Sequence, residues 1–534
     1  FGRAAELFRE AHRSFADADA QLGRPWAWPA QLVPVVAQQA DAAWSIAGEA
    51  SSASSTIAAT VDELDPDSVR IVDGRLDLDA VTALAEPFDR LANTLDGLRS
   101  MARRVESGWL IDPLASEMRN LRGDLDRNGR LLENARMAID LAPAMLGADG
   151  PRTYLVLFTT PAEARGLGGF PGNFAEISAD HGHVRMTRFG RWSDLESAID
   201  PTTFRIEGPP GFIDGYGQFG FELSADGRVK GSPWRNLTMP PDFPTVAQVA
   251  TELYPQSGGR HIDGVLLADV DVLTRLLGFT GPVDVAAWPE PIGTANARRV
   301  LLVDQYSISD LGDRTDFLSD VARTVIGRLL AGAVPGPVEL ARSLGPEIAE
   351  GRLLMWTDRP DEQRLLAATR LIGAFPSAPL FGGADGFAVA ITNVAGNKMD
   401  TFLDRTFTYE THHDGPNVSA TLRVALTNSS PVDRLPLYVI SNAKDLPQGT
   451  NRERVCVTSP LELVEVGVEG DDEVPWERVD ELGGTSYCRS VTLPPGATVT
   501  LYLRLEGRVA RPDLPVVVWR QPLVRDPEVR VVAS

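Results

Sequence analysis

"GADGPRTYLVLF", residues 147–158, is where the character of the chain changes. Its second half, "TYLVLF", is a continuous apolar run with β-branched and aromatic residues, which marks a buried strand. Everything before it reads as helix. "AAELFREAHRSFADADAQL" is Ala-rich with apolar positions at helical spacing, and "LDAVTALAEPFDRLANTLDGLRSMARRV" and "PLASEMRNLRGDLDRNGRLLENARMAIDLAPAML" repeat that pattern. Few polar side chains in this region form a recognisable catalytic pattern. A spacer or packing platform is the expected role.

After residue 158 the elements alternate. "FAEISADHGHVRMTRFG" reads strand, turn, strand, with the turn at Asp180–Gly182. "FPTVAQVATELY" is helical, "IDGVLLADVDVLTRLLGFTGPVDV" reads strand, helix, strand, and "TDFLSDVARTVIGRLLAG" is an amphipathic helix. "VELARSLGPEIAEGRLLMWT" adds a helix and a strand, so the pattern argues for an α/β layer architecture. From about Gly386 short strands with turn signals follow one another, as in a β-sandwich. The expected fold class is multidomain α+β: a helical region over 1–148, an α/β domain over 149–385, and an antiparallel β-sandwich over 386–534.

The chain has 534 residues, 43% hydrophobic and 23% charged, which is ordinary globular composition. Its formal net charge of −22 repels nucleic acid, so no nucleic-acid partner is expected. No apolar run is long enough to span a bilayer. The chain opens on Phe1, and the expectation is a trimmed or processed chain that has lost a signal or anchor upstream. Cys456 and Cys488 each lie in a predicted strand. They suit a disulfide in an exported protein, with two buried free thiols as the alternative.

Chemistry centres on "EARGLGGFPGNF", residues 163–174, which holds four glycines and Arg165. Pro171 stands where a dinucleotide fingerprint needs its last glycine, and no Gly-Lys-Ser/Thr is present, so two nucleotide motifs are excluded. What remains is either a nest of backbone N–H groups that holds an anion beside Arg165, or a glycine-rich turn demanded by close backbone packing. "RMTRFGRW" supplies Arg185, Arg188 and Arg191, with Arg185 and Arg188 on opposite strand faces. Arg314 begins the amphipathic helix and opposes its macrodipole, which an anionic ligand would offset; pairing with Asp310, Asp313 or Asp316 is the alternative. Asp269 and Asp271 end a predicted strand, where a helix N-cap is preferred to a hard-cation site. No His/Cys cluster or Ser/His/Asp set appears, and no cofactor is expected.

"RTYLVLFTTPAEARGLGGFPGNF", "PPDFPTVAQVATELY", "IDGVLLADVDVLTRLLGFTGPVDV", "RTDFLSDVARTVIGRLL", "RLLMWTDRPDEQRLL" and "ITNVAGNKMDTFLDRTFTYE" occur in that order. In these motifs the chain resembles the domain of unknown function 4012 family. The resemblance implies a single-pass envelope protein of high-GC Gram-positive bacteria and others, with its bulk outside the membrane and an anchor preceding Phe1, and it favours the disulfide. The middle region also resembles the LytR–CpsA–Psr glycopolymer transferases. There "AEARGLGGFPGNF" takes the place of an Asp-x-Arg loop followed by Ser-Asp-Thr, with Arg165 matching. "FGRW" takes the place of Ile-Pro-Arg-Asp, with Arg191 matching, and "DLGDRTDFL" brings Arg314 into register. Asn173 lies near where an aspartate belongs, and Trp192 replaces another.

The resemblance implies an arginine-lined pyrophosphate pocket made of Arg165, Arg191, Arg314, Asn173 and Arg188. With two carboxylates replaced, the expectation is an extracytoplasmic cell-envelope protein that binds a cell-wall glycan or a polyprenyl-linked glycan without strong catalysis. The alternative is a Mg-dependent transferase that moves a glycopolymer from its polyprenyl pyrophosphate carrier to the wall.

Overall fold

The computed structural model describes residues 2–22, 34–65, 68–105, 112–225, 227–308, 310–332, 334–376, 381–468 and 476–534. The chain divides into two compact units. One holds residues 1–151 with the short segments 179–183 and 335–338, and the other holds the remainder. The segments read from sequence as α/β domain and β-sandwich therefore lie together in the second unit.

The first unit is helical, with helices Gly2–Leu22, Pro34–Glu63, Leu78–Ala83, Ala85–Val105 and Asp112–Met145. Asp77 starts the third by accepting hydrogen bonds from the Asp79 and Ala80 amides at 3.0 and 3.1 Å. Met101, Ala102, Met118 and Leu125 form its buried centre, packed on Ile46, Leu95 and Leu98. No helix among the described residues is long and apolar enough to cross a membrane.

The second unit begins with a five-stranded sheet. Its strands are β1 (Arg152–Thr160), β2 (Phe170–Asp180), β3 (His183–Arg191), β4 (Gly264–Asp269) and β5 (Leu353–Thr357), in the order β3-β2-β1-β4-β5. β1 is the "TYLVLF" strand and pairs parallel to β4, with Leu155 opposite Val265. β4 and β5 run antiparallel. The sheet is covered on both faces, which explains the unbroken apolar run. Leu155, Leu157 and Phe174 pack under the helix Phe243–Gln256. On the other side Phe158 and Phe189 meet a core that includes Leu273, Leu277, Phe317 and Val321. Between β2 and β3 the two turn residues His181 and Gly182 have φ of 48° and 77°, the left-handed pair of a tight hairpin.

Ten further strands follow among the described residues: β6 (Gly386–Asn393), β7 (Leu403–Asp414), β8 (Asn417–Asn428), β9 (Asn451–Thr458), β10 (Glu462–Val468), β11 (Glu477–Glu481), β12 (Gly484–Leu493), β13 (Thr498–Arg508), β14 (Val517–Trp519) and β15 (Glu528–Ala533). They form two sheets, β10-β13-β8-β7-β15 and β11-β12-β9-β6-β14. Phe387, Val389 and Ile391 of one sheet share a core with Leu422, Val424 and Leu503 of the other. The sheets are rich in antiparallel pairs but not wholly antiparallel. The last two strands return to the edges and pair parallel, β14 with β6 and β15 with β7. Strands that close a chain after a long connection can lie either way, and their short sequences carry no signal of direction. Cys456 of β9 stands directly opposite Cys488 of β12, and the two form a disulfide.

Candidate functional site

The loop between β1 and β2 carries "EARGLGG", and its glycines are there for lack of space. A Cβ on Gly166 would lie 2.1 Å from the Met239 carbonyl oxygen, and one on Gly169 would lie 2.6 Å from the Thr160 carbonyl carbon. At Gly168, with φ of 103°, it would lie 2.4 Å from the Pro522 carbonyl oxygen. Three of the loop amides are also engaged. Leu167 donates to the Thr238 carbonyl at 3.2 Å, Gly168 to the Arg165 carbonyl at 2.6 Å, and Phe170 to the Glu163 carbonyl at 3.1 Å. Of the two readings of this loop, close backbone packing describes it.

Arg165 points into the protein and is 3% exposed. Its guanidinium pairs with Glu163 at 2.5 Å and donates to the carbonyls of Asn393 at 2.9 Å and Ala164 at 3.0 Å. Glu163 also pairs with Lys398, and both cations lie against the Phe170 ring, with Arg165 at 5.6 Å and Lys398 at 4.8 Å from its centroid. Burial pushes the Glu163 carboxyl up, but the charges of Lys398 and Arg165 outweigh it and hold the group at about 2.

The knot extends into the C-terminal strands. Asp400 accepts from the Ala164 amide at 3.0 Å, from Asn393 at 2.8 Å and from Arg405 at 2.6 Å. Gln521 donates to the Arg165 and Ile391 carbonyls at 2.5 and 2.8 Å and accepts from the Ile391 amide at 2.8 Å. Fully buried Glu453 lies at the far side. Burial, then the Asp400 charge, raises its carboxyl well above the usual range. This network joins the loop after β1 to β6 and its neighbours through fully desolvated polar groups.

The other expected ligands sit elsewhere. Arg191 is partly exposed and pairs with Asp316 of the helix Leu311–Ala331. Asn173 donates to Ser319 of the same helix at 2.8 Å and to the Gly190 carbonyl at 3.4 Å. The structure thus brings Arg191 and Asn173 to the helix whose first turn carries Arg314; the Arg314 side chain lies outside the described residues. Arg188 points elsewhere again. It donates to the Gly258 carbonyl at 3.2 Å and lies 5.1 and 5.9 Å from the Phe174 and Tyr254 ring centroids. Arg165 therefore has its charge neutralised inside the protein, Arg191 has an acidic partner at the surface, and Arg188 packs on aromatic rings.

Asp269 caps the helix Val270–Thr280, accepting from the Asp271 and Val272 amides at 2.8 and 3.1 Å. Its second oxygen takes Arg352 at 2.9 Å. Burial, only partly offset by Arg352, raises this carboxyl to about 6. Among the described residues no group of three or more His, Cys, Asp or Glu is placed to hold a metal ion.

Residues 149–306 match the family described as protein of unknown function (DUF4012). No curated protein and no solved structure matches the chain. The DUF4012 region contains the glycine loop, the β2–β3 hairpin and the Asp269 cap. Lys398, Asp400, Arg405 and Gln521, which complete the buried knot, lie beyond it. Sequence reasoning overlooked these residues. The signal was in "ITNVAGNKMDTFLDR", where Asn393, Asn397, Lys398, Asp400 and Arg405 crowd polar groups around an apolar strand.

Proposed function

We propose that this is an extracytoplasmic protein of the cell envelope that binds a glycan component there and does not catalyse glycan transfer. The observation that carries the non-catalytic reading is the buried Glu163–Arg165 pair. The arginine that the transferase resemblance would place on a pyrophosphate is spent on an internal carboxylate. Asn173 and Trp192 stand where that resemblance calls for carboxylates, and Asn173 is bonded to Ser319. The cross-strand disulfide supports an oxidising compartment.

The transferase reading keeps one support, since Arg191 and Asn173 both meet the helix Leu311–Ala331. One assay separates the two. The chain is incubated with a polyprenyl pyrophosphate-linked glycan, Mg²⁺ and peptidoglycan, and release of polyprenyl phosphate is followed. The proposal expects none above a protein-free control, and retention of envelope glycan by wild type and Arg191→Ala alike. Release that Arg191→Ala abolishes would establish the transferase instead.

A further inference from the structure

A cavity of about 410 Å³ opens in the second unit, lined by Leu167, Pro241, Arg370, Trp519, Arg520 and Pro522 among others. That volume is within the range of small-ligand sites, roughly 300–1,000 Å³. It lies next to the glycine loop. Gly168 presses on Pro522, and Gln521 is clamped to the Arg165 carbonyl, so the segment carrying Trp519 and Arg520 is anchored from behind.

Arg370 and Arg520 are both exposed, and among the described residues neither guanidinium has a hydrogen-bond or carboxylate partner. Glu350 is the sole carboxylate among the described lining residues, and its Oε2 is taken by the Arg352 Nε at 2.7 Å. Some arginines of this acidic chain are neutralised by carboxylates, as Arg152 is by Glu362 and Arg191 by Asp316, whereas among the described residues these two are not. Two cations left open on one cavity, in a protein of net charge −22, are complementary to an anion. Arg370 also holds a left-handed backbone, φ 64°, just past the helix Pro360–Ala368, where glycine is the usual occupant. A strained residue kept at a cavity points to use of its side chain.

The remaining lining chooses the class of anion. Trp519 is half-buried and its ring is held edge-on by Phe375, with centroids 4.9 Å apart. It is the aromatic surface of the same cavity that Arg370 and Arg520 line, backed by the buried Pro241 and Pro522. A sugar ring has an apolar C–H face that stacks on such a surface and a rim of polar groups. An extended acidic peptide would instead need a sheet edge, and β14 supplies only three residues of one. We infer that this groove binds an anionic saccharide, with rings against Trp519 and carboxylate or phosphate groups in the forks of Arg370 and Arg520. The inference rests on the glycan-binding reading for the setting in which the ligand is met, and on the groove for the ligand's chemistry.

Titration calorimetry of the whole chain tests it, with oligogalacturonate and phosphomannan as carboxylate- and phosphate-bearing saccharides, and neutral dextran and poly-aspartate as comparisons. At least one charged saccharide is expected to bind more tightly than both comparisons. Arg370→Gly with Arg520→Ala is expected to weaken it by about tenfold or more, as loss of charge-assisted hydrogen bonds requires. Arg370→Gly relaxes the backbone, so an unchanged or raised Tm separates lost binding from lost folding. Silence with both charged saccharides, equal binding of poly-aspartate, or unchanged affinity in the double variant would overturn the inference. Those outcomes leave the transfer assay untouched, and polyprenyl phosphate release would sink the non-catalytic reading while leaving this groove in place.

Discussion

The Glu163 carboxylate lies 2.5 Å from the Arg165 guanidinium, with both side chains under 5% exposed, and it carries Lys398 as a second buried cation. A single carboxylate thus pairs with two buried cations. Removing one partner of such a pair costs roughly 3–5 kcal/mol, because the other charge is stranded. Glu163→Gln is expected to lower unfolding stability by about that amount in denaturant titrations. Adding Lys398→Met should recover part of the loss, since one stranded cation is then gone. A loss below about 1 kcal/mol would mean the pair behaves as a solvated surface bridge.

Glycines in the β1–β2 loop separate packing from ligand binding. Gly166→Ala and Gly168→Ala each drive a Cβ into backbone, at 2.1 and 2.4 Å, and Gly168 adds a φ of 103°. Each should destabilise by roughly 2–4 kcal/mol. Gly172→Ala, just inside β2, is the control, because its Cβ would meet nothing closer than 3.9 Å. It should be neutral or slightly stabilising, by about 0.5 kcal/mol, through the unfolded chain. Thermal melts of the three variants decide this. Equal Tm values across them would remove the close-packing account of the loop.

Much of this was legible. The "TYLVLF" run became β1 because burial on both faces needs no polar alternation, and Asp269 became a cap because its carboxylate precedes free amides. The glycine loop was legible only as two alternatives. Spacing reports where backbone can approach something, but not whether that something is a phosphate or the Met239 and Pro522 carbonyls. Arg165 was misplaced for a related reason. Its partners Asn393 and Gln521 are more than 220 residues away, and only Glu163 and Ala164 are close in sequence. The parallel return of β14 and β15 had no local signal, because strand direction is set by the route of the connection.

Asp269 gives the chain a pH dependence of defined sign. Its native carboxyl is raised from 3.8 to about 6, so the folded protein keeps this proton where the unfolded chain has lost it. The contribution is fully present below about 3.8 and is lost as pH rises through about 6. It amounts to at most about 3 kcal/mol. Asparagine caps a helix as well as aspartate does and cannot titrate. Arg352 keeps Asp271 and Glu350 as partners in Asp269→Asn. Stability of Asp269→Asn should therefore fall less steeply than wild type between those two pH values. Parallel curves from denaturant titrations across that range would show that Asp269 is not the group responsible.

Cys456 and Cys488 face each other across β9 and β12 with Cα atoms 4.0 Å apart, and the chain has no other cysteine. Their separation of 32 residues encloses the whole of β10 and β11. Closing a loop of that length restricts the unfolded chain enough to stabilise the fold by about 4 kcal/mol in the chain-entropy estimate. Chain released under denaturing, non-reducing conditions after oxidative expression should show no titratable thiol, and reduction should expose both cysteines. Cys456→Ala with Cys488→Ala should lower the denaturant midpoint by the corresponding amount. Because the bond joins central strands of one sheet, the loss should appear in the unfolding of the second unit and leave the helical unit's transition in place. Two reactive thiols in the oxidised preparation would contradict the bond, and with it the support that the bond gives to an extracytoplasmic location.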